Sequence, residues 1–177
     1  MMHHAPTTTR ILVQTRMFTM ALKERADEFL SQKRIAVVGV SGTKTATGNG
    51  IYKALRDVTD GEVFAVNPNE QEVEGDTCYP NVQAIPGVVD TVIIVTVPKI
   101  TEQVVRDCKE AGVKRVWMHH NPIFKGMGSH SDEAIQFCKD NGIDVIPGAC
   151  PMMFREGADV FHRCMCWALD KFGKLPA

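Results

Sequence analysis

The residues best suited to bind a ligand lie in a turn of small side chains, Gly39 to Gly50, which follows a run of β-branched residues. Such a turn, where it leads into a helix, presents unpaired backbone N–H groups at the positive end of the helix dipole and holds a phosphate well. We therefore predict a phosphate-binding loop here, and the alternative of a plain flexible turn stays open. The predicted contacts come from Gly39, Val40, Ser41, Gly42, Thr43 and Lys44.

The turn matches neither of the two standard phosphate-binding fingerprints. Lys44 follows Thr43 rather than a glycine, so the G-x-x-x-x-G-K-[ST] pattern of P-loop proteins is missing, and so is G-x-G-x-x-G. NAD-binding folds also place an Asp or Glu at the end of the second strand to bond the ribose 2′-OH, whereas this chain has Val66-Asn67-Pro68. The uncharged strand end disfavours NAD and is compatible with a ligand that carries an extra ribose phosphate.

Three side chains with more reactive chemistry follow the later predicted strands. His119 and His120 are candidates for proton transfer or phosphorylation, but we favour a structural interpretation in which one imidazole caps the strand end and the other faces solvent. Cys150 lies in a Gly-Ala-Cys-Pro turn. A helix N-terminus there would favour its thiolate and allow a mixed disulfide or acyl transfer, and the alternative is a small buried residue in a tight turn. We assign no catalytic residue.

The cysteines do not form a metal-binding pattern. The chain has 6 cysteines but no C-x-x-C pair, and Cys164 and Cys166 at i and i+2 would point to different faces of a helix. We therefore predict no metal site. Six cysteines in 177 residues also fall below the density of a small disulfide-stapled secreted domain, which predicts a reducing compartment.

Five runs of mostly apolar, β-branched residues would position these groups, since such runs are typical of strands buried on both faces of a parallel sheet. The predicted strands are Arg34–Val40, Glu62–Val66, Thr91–Val97, Arg115–Met118 and Ile143–Pro147. Helices are predicted between them, at Asn49–Asp57, at Thr101–Ala111 with Thr101 as N-cap, and at Ser131–Asn141. Residues 67–90, rich in Asn, Pro and Gly, are predicted as a loop with short strands.

This alternation predicts an α/β fold of the Rossmann-like, doubly wound type, with a five-stranded, mainly parallel sheet in a three-layer α/β/α arrangement. We divide the chain into an N-terminal extension with a short helix (residues 1–30), the sheet-containing domain (31–155) and a C-terminal helix (156–177). The last helix is predicted from Arg155 to Phe172, with an apolar stripe suited to dock on the sheet or on a second copy of the chain, which would form a homodimer.

Composition and charge exclude several classes of protein. With 177 residues, of which 44% are apolar and 23% charged, the chain fits one globular domain. A net charge of -1 argues against nucleic-acid binding. No apolar run is long enough to span a membrane and no secretory signal is recognised, so we expect a soluble cytoplasmic protein. The acid-free residues 1–23, with Arg10, Arg16 and Lys23, leave the mitochondrial matrix as an alternative.

Five short motifs, taken together and in order, resemble the CoA-binding domain family. Its members are small proteins similar to the N-terminal Rossmann-like domain of the succinyl-CoA synthetase α subunit. The motifs are Gly39–Lys44, Val66–Pro68, Cys78–Pro80, Val97–Pro98 and Pro147–Pro151. The resemblance extends over residues 30–155 and implies five parallel strands that hold CoA across their carboxyl ends.

The resemblance implies roles for individual residues. Ser41 to Lys44 match the loop that contacts the CoA phosphates, Asn67 and Pro68 match the loop beside the adenosine, and Val97 and Pro98 match the segment under the nucleotide. Cys150 matches the cysteine of an Asn-Cys-Pro stretch in the synthetase.

One departure from the family concerns charge. Members often have a lysine after the Asn-Pro or Thr-Pro pair, whereas this chain has Asn69-Glu70. The segment from Asp57 to Asp76 contains acids and no base. Positive charge for a 3′-phosphate would therefore come from Lys44, from Lys99 or from elsewhere.

The sequence predicts a protein that binds CoA or acyl-CoA and has no catalysis of its own, because the synthetase does its chemistry with a phosphorylated histidine in a further domain. One alternative is an NAD- or NADP-binding oxidoreductase or sensor on the same fold. Another is a redox-regulatory module that forms a mixed disulfide between CoA and Cys150. Neither a nucleic acid nor a membrane is predicted as a partner.

Overall fold

Seven strands form one sheet in the part of the chain that the computed structural model describes, residues 22–43, 45–121 and 128–176. The strand order is β3-β4-β2-β1-β5-β6-β7, and every neighbouring pair is parallel except the antiparallel pair of β3 and β4. The strands are β1 (Arg34–Val38), β2 (Glu62–Val66), β3 (Glu72–Val73), β4 (Asp76–Tyr79), β5 (Thr91–Ile94), β6 (Arg115–His119) and β7 (Asp144–Ala149).

The predicted count of five strands is wrong, because residues 67–90 contribute two more to the same sheet. β3 and β4 form a hairpin whose two turn residues, Glu74 and Gly75, have positive φ angles of 55° and 83°. Two such residues in a two-residue hairpin are typical of a type I′ turn. The preferred sequence for that turn is Asn-Gly or Asp-Gly, so Glu-Gly is a weak signal, and strands of two and four residues are too short to show alternation.

The described residues also form five helices and two short 3-10 helices. The first is helical over residues 22–30 and is called α1. The others are α2 (Thr47–Arg56), α3 (Pro98–Glu110), α4 (Asp132–Asp140) and α5 (Val160–Lys171), with 3-10 turns at Val82–Ala84 and Pro151–Met153.

Two predicted helix starts are wrong. α3 begins at Pro98, three residues before Thr101, because a proline fits the first helical position with its fixed φ and missing N–H. The Thr101 hydroxyl is inside the helix and donates to the Val97 carbonyl at 3.2 Å. α5 begins at Val160 rather than Arg155, since Gly157 has φ 68° and Asp159 is the N-cap, accepting from the His162 amide.

The sheet separates two hydrophobic clusters, which confirms the three-layer, doubly wound α/β architecture. On one face, Ile35 and Val37 pack with side chains of α1 and α2. On the other, Ala36 and Val38 pack with side chains of α3 and α4. Alternate residues of one strand thus enter opposite clusters, as the unbroken apolar runs require. α5 lies on the α1–α2 side through partly buried residues and contains no buried one.

None of the described helices combines the length and apolar character needed to cross a membrane. The acid-free N-terminal stretch falls, except for its last two residues, outside the described part of the chain.

Candidate functional site

A cleft of about 370 Å³ opens at the carboxyl ends of β1, β5 and β6. It lies where the chain crosses from one half of the sheet to the other, between β1 and β5, which is where α/β sheets bind ligands. It contains Gly39 and Val97 from the predicted site. The lining residues are Gly39, Ala46, Thr47, Gly48, Val95, Thr96, Val97, His119, Asn121, Gly128 and Ser129.

Two glycines allow the backbone segments around the cleft to approach each other. Gly39 has φ 101°, and a Cβ there would lie 2.4 Å from the Val95 carbonyl oxygen. A Cβ on Gly48 would lie 2.3 Å from the Gly39 carbonyl oxygen. Both distances are too short for any side chain, so the close packing of β1, β5 and the start of α2 requires glycine at both positions.

The two helices that begin at the cleft lack side-chain caps, unlike α4 and α5. The N-caps of α2 and α3 are Ala46 and Val97, neither of which supplies a side-chain acceptor, and neither helix has an acid in its first turn. α4 and α5 are capped by Ser131 and Asp159. The positive ends of α2 and α3 are therefore not neutralised by their own caps, which suits the binding of an anionic group in the cleft.

The predicted phosphate loop is held to α2 by a buried asparagine that sequence reasoning missed. Asn49 is 1% exposed. Its Oδ1 accepts from the Ser41 amide at 2.8 Å, and its Nδ2 donates to the Ser41 carbonyl at 2.7 Å and to Glu74 Oε1 at 2.9 Å. The Thr43 amide donates to the Ser41 hydroxyl at 3.1 Å. Only a polar residue on the buried side of the predicted helix could have indicated this role.

The carboxylate of Glu70 binds the loop at the Gly42 amide. The Gly42 N–H donates to Glu70 Oε1 at 2.7 Å. Glu70 is the residue after the Asn67-Pro68-Asn69 turn, in the region where family members often carry a lysine. The Gly42 amide therefore binds an anionic oxygen, and a phosphate that bound there would have to displace Glu70. Lys44, the predicted cationic contact, lies outside the described residues.

Asn67 contacts the loop rather than the open cleft. Its Nδ2 donates to the Val40 carbonyl at 2.6 Å, and its Oδ1 accepts from the Asn69 amide at 2.9 Å. The amide thus ties the end of β2 to the end of β1 and leaves exposed Pro68 beside them. Exposed Pro98 and Lys99 begin α3, next to Val97, which is 62% exposed.

Ser129 is a second positioning residue that the sequence did not indicate. It is fully buried, and its hydroxyl oxygen lies 2.8 and 2.9 Å from the carbonyl oxygens of Ile94 and Thr96, which share its single proton. The same oxygen accepts from the Thr96 amide at 3.0 Å, and the Ser129 amide donates to the His119 carbonyl. Ser129 therefore joins the ends of β5 and β6 at the cleft floor.

His119 faces the cleft as a neutral imidazole. It is 5% exposed, and burial together with the neighbouring His120 lowers its pKa to about 4. His120 is half-buried. A neutral, buried ring presents no positive charge to a ligand at pH 7.

A second cavity, of about 360 Å³, adjoins the cleft on the side of β7. The two share Ala46, Thr47, His119 and Asn121. The remaining lining residues are Thr45, Gly50, Ile51, Cys150, Met152, Phe161, His162 and Met165.

Cys150 lines this second cavity but is not an activated thiol. It is 7% exposed and is the N-cap of the 3-10 turn Pro151–Met153. Burial raises the pKa of the thiol, although the Met152 and Met153 amides act in the opposite direction. Of the two interpretations of Cys150, the structure agrees with the small buried residue in a tight turn, because a single 3-10 turn does not compensate for the loss of hydration of a thiolate. Among the described residues, no cluster of three or more His, Cys, Asp or Glu could hold a metal ion.

Comparison with known proteins identifies relatives over the same region. The model of the CoA binding domain family matches residues 33–156. The acetate–CoA ligase [ADP-forming] II subunit alpha of Pyrococcus furiosus is 37% identical over 107 residues, which is 60% of this chain and 22% of that protein. The uncharacterized protein YneT of Bacillus subtilis is 32% identical over 67% of this chain and 82% of its own length.

A solved structure shares the architecture. A hypothetical protein from Pyrococcus horikoshii OT3 superposes with a TM-score of 0.69 and 26% identity, over 89% of this chain and 99% of that one. The matches do not support the NAD or NADP alternative. This chain spans about a fifth of the acetate–CoA ligase subunit that it matches.

Proposed function

The chain belongs to the CoA binding domain family, and on that premise we propose that it binds CoA and acyl-CoA in the cleft at the carboxyl ends of β1, β5 and β6 without catalysing a reaction by itself. The observation that carries the proposal is the pair of helix N-termini at the cleft. α2 and α3 have neither a side-chain cap nor an acid in the first turn, so their dipoles favour a bound diphosphate.

The proposed arrangement runs across the sheet. The adenosine lies beside exposed Pro68, at the end of β2, and against the exposed apolar side chain of Val97, while Asn67 holds the end of β2 to the loop. The diphosphate lies at the Ser41–Lys44 loop and the start of α2. The pantetheine arm then extends over His119 toward β7, with Lys99 available to the ribose phosphate.

The two side chains at the site that could take part in catalysis, His119 and Cys150, are both in unreactive protonation states, which supports a binding role. The pKa of His119 is lowered to about 4, so the imidazole is a weak base, and the pKa of Cys150 is raised, so its thiol stays protonated. The same burial of Cys150 disfavours the mixed-disulfide alternative.

The test is a calorimetric titration of the chain with CoA, dephospho-CoA, NAD and NADP, with Ala46→Asp and Ala46→Ser as matched variants. Both substitutions supply an N-cap that suits α2, so neither should destabilise the fold. We expect CoA to bind the unaltered chain and Ala46→Ser, and the Asp variant to bind it about tenfold more weakly through repulsion of the diphosphate. Binding of NAD but not CoA, or equal CoA binding by both variants, would contradict the proposal.

A further inference from the structure

We propose that the second cavity receives the acyl group of a bound thioester and selects apolar acyl groups over those that end in a carboxylate. The inference rests on the proposed function and adds the class of acyl-CoA to it. Its occupant is the group attached to the CoA sulfur, and its walls are Ile51, Cys150, Met152, Phe161 and Met165, with two histidines and two threonines among the remaining residues.

The position of the cavity follows from the order of the strands. The cleft lies over β1, β5 and β6, and β7 is the next strand in the sheet. The second cavity lies at the end of β7 and shares Thr47, His119 and Asn121 with the cleft. A ligand laid from β2 toward β6 therefore brings its far end, the thioester, to the boundary between the two spaces.

The walls are apolar and adaptable. Two methionines and a cysteine provide soft, polarisable surfaces, and the unbranched methionines can repack around acyl groups of different shape. The ring of Phe161 is at the rim and is 60% exposed, which leaves apolar surface for an acyl chain to cover.

No lysine or arginine is present among the described residues that line the cavity. His119 is neutral, and His162 Nδ1 is 2.6 Å from Asp159 Oδ2, so the carboxylate beside it offsets any charge on that ring. Among the described lining residues, a carboxylate at the end of an acyl group would lose its hydration without gaining a cationic partner, which is costly in an apolar site.

Part of this wall lies outside the region that the family model matches. Phe161, His162 and Met165 belong to α5, which lies beyond the family match at residues 33–156. The core of the family domain would thus hold the nucleotide, and α5 would set the preference for the acyl group.

The first experiment compares CoA, butanoyl-CoA and succinyl-CoA by calorimetric titration of the unaltered chain. Because butanoyl-CoA buries three more methylene or methyl groups than CoA, we expect it to bind with about tenfold or greater affinity. Succinyl-CoA has a carboxylate where butanoyl-CoA has its terminal methyl group, and it should bind at least about tenfold more weakly than butanoyl-CoA. Equal binding of the two thioesters, or no gain over CoA, would overturn the inference and leave the proposed function intact. Failure of CoA itself to bind would overturn the proposed function first.

The second experiment introduces a cation into the wall. Met165→Lys should raise the ratio of succinyl-CoA to butanoyl-CoA affinity by about tenfold, the effect of one charge-assisted contact. Cys164→Lys is the matched control, since Cys164 is the adjacent, exposed residue of the same helix and does not line the cavity. We expect that control to retain the original ratio. The same shift in both variants would mean that charge acts at long range and would overturn the assignment of the cavity.

Discussion

At the residue scale, the contact between Glu70 and the Gly42 amide shows both that the loop binds an anion and that the chain supplies one itself. The acidic character of this segment is partly offset by α2. Asp76 accepts from Tyr52 at 2.8 Å and from Arg56 at 2.5 Å, and both hydrogen bonds lower the pKa of its carboxyl. Glu70 is instead directed at the loop, so it would compete with an anion that bound at the Gly42 amide.

We predict that Glu70→Gln raises the affinity for CoA about threefold to tenfold, because it removes a negative charge that a phosphate must otherwise displace. Calorimetric titration measures the change. Glu72→Gln is the control, since it removes the same charge from the exposed start of β3. Equal gains in both variants would show a general charge effect, and a loss in Glu70→Gln would show that the carboxylate supports the bound state.

A second residue-scale prediction concerns pH. The pKa of His119 falls from its ordinary 6.5 to about 4 on folding, so the folded state disfavours the protonated ring. The stability contributed by the neutral ring is present above pH 6.5 and is lost as the pH falls toward 4, by roughly 3 kcal/mol over that window. His119→Asn should remove this part of the pH dependence of the unfolding free energy.

Urea unfolding at pH 7.5, 5.5 and 4.5 measures that dependence. The control is His130→Asn, at a histidine whose side chain is 49% exposed. If His119→Asn loses stability between pH 7.5 and 4.5 as steeply as the unaltered chain does, the depressed pKa is not a source of acid sensitivity.

At the element scale, the loop and α2 behave as one unit because Asn49 joins them with two hydrogen bonds to Ser41, and a third hydrogen bond ties the same side chain to Glu74 of the β3–β4 hairpin. β4 is joined to the same helix through Asp76, and Ser129 makes the equivalent connection between β5 and β6. The cleft is thus formed by strand ends that buried polar side chains hold in place.

We predict that Asn49→Ala lowers the free energy of unfolding by about 2 kcal/mol, because it leaves the Ser41 amide and carbonyl without their partners. CoA affinity should fall as well, since the loop loses its support on α2. Chemical denaturation measures the first effect and calorimetry the second. Asn69→Ala, at an exposed position of the neighbouring turn, is the control. It should leave both the free energy of unfolding and the CoA affinity unchanged.

At the scale of the whole molecule, the cleft is part of a single sheet with a core on each face, so a ligand bound there stabilises the native state as a whole. We predict that CoA at a hundred times its dissociation constant raises the unfolding free energy by about 2.7 kcal/mol. Urea unfolding with and without CoA measures the gain, and Ala46→Asp at the same CoA concentration should gain less. An equal gain in that variant would place the ligand elsewhere.

The predicted homodimer remains a prediction, which sedimentation equilibrium can test.

The sequence by itself determined the fold class and the family. Unbroken apolar runs alternating with amphipathic segments can only be buried between two layers of helices, and the five motifs, in order along the chain, are those of the CoA-binding domain family. It also placed the candidate cleft, since ligands lie at the carboxyl ends of such strands. The hairpin of β3 and β4 could not be predicted as part of the sheet, because strands of two and four residues show no periodic pattern.

Only the tertiary structure decided which polar groups face a ligand and which support the chain. Asn67, predicted beside the adenosine, donates its amide to the Val40 carbonyl. Asn49 and Ser129, which were not predicted as site residues, hold the loop and the cleft floor. Cys150 and His119 lie at the predicted strand ends, but the burial that sets their pKa values comes from residues distant in sequence. Hydrogen-bond partners and dielectric surroundings are long-range properties, and local patterns of residue types do not contain them.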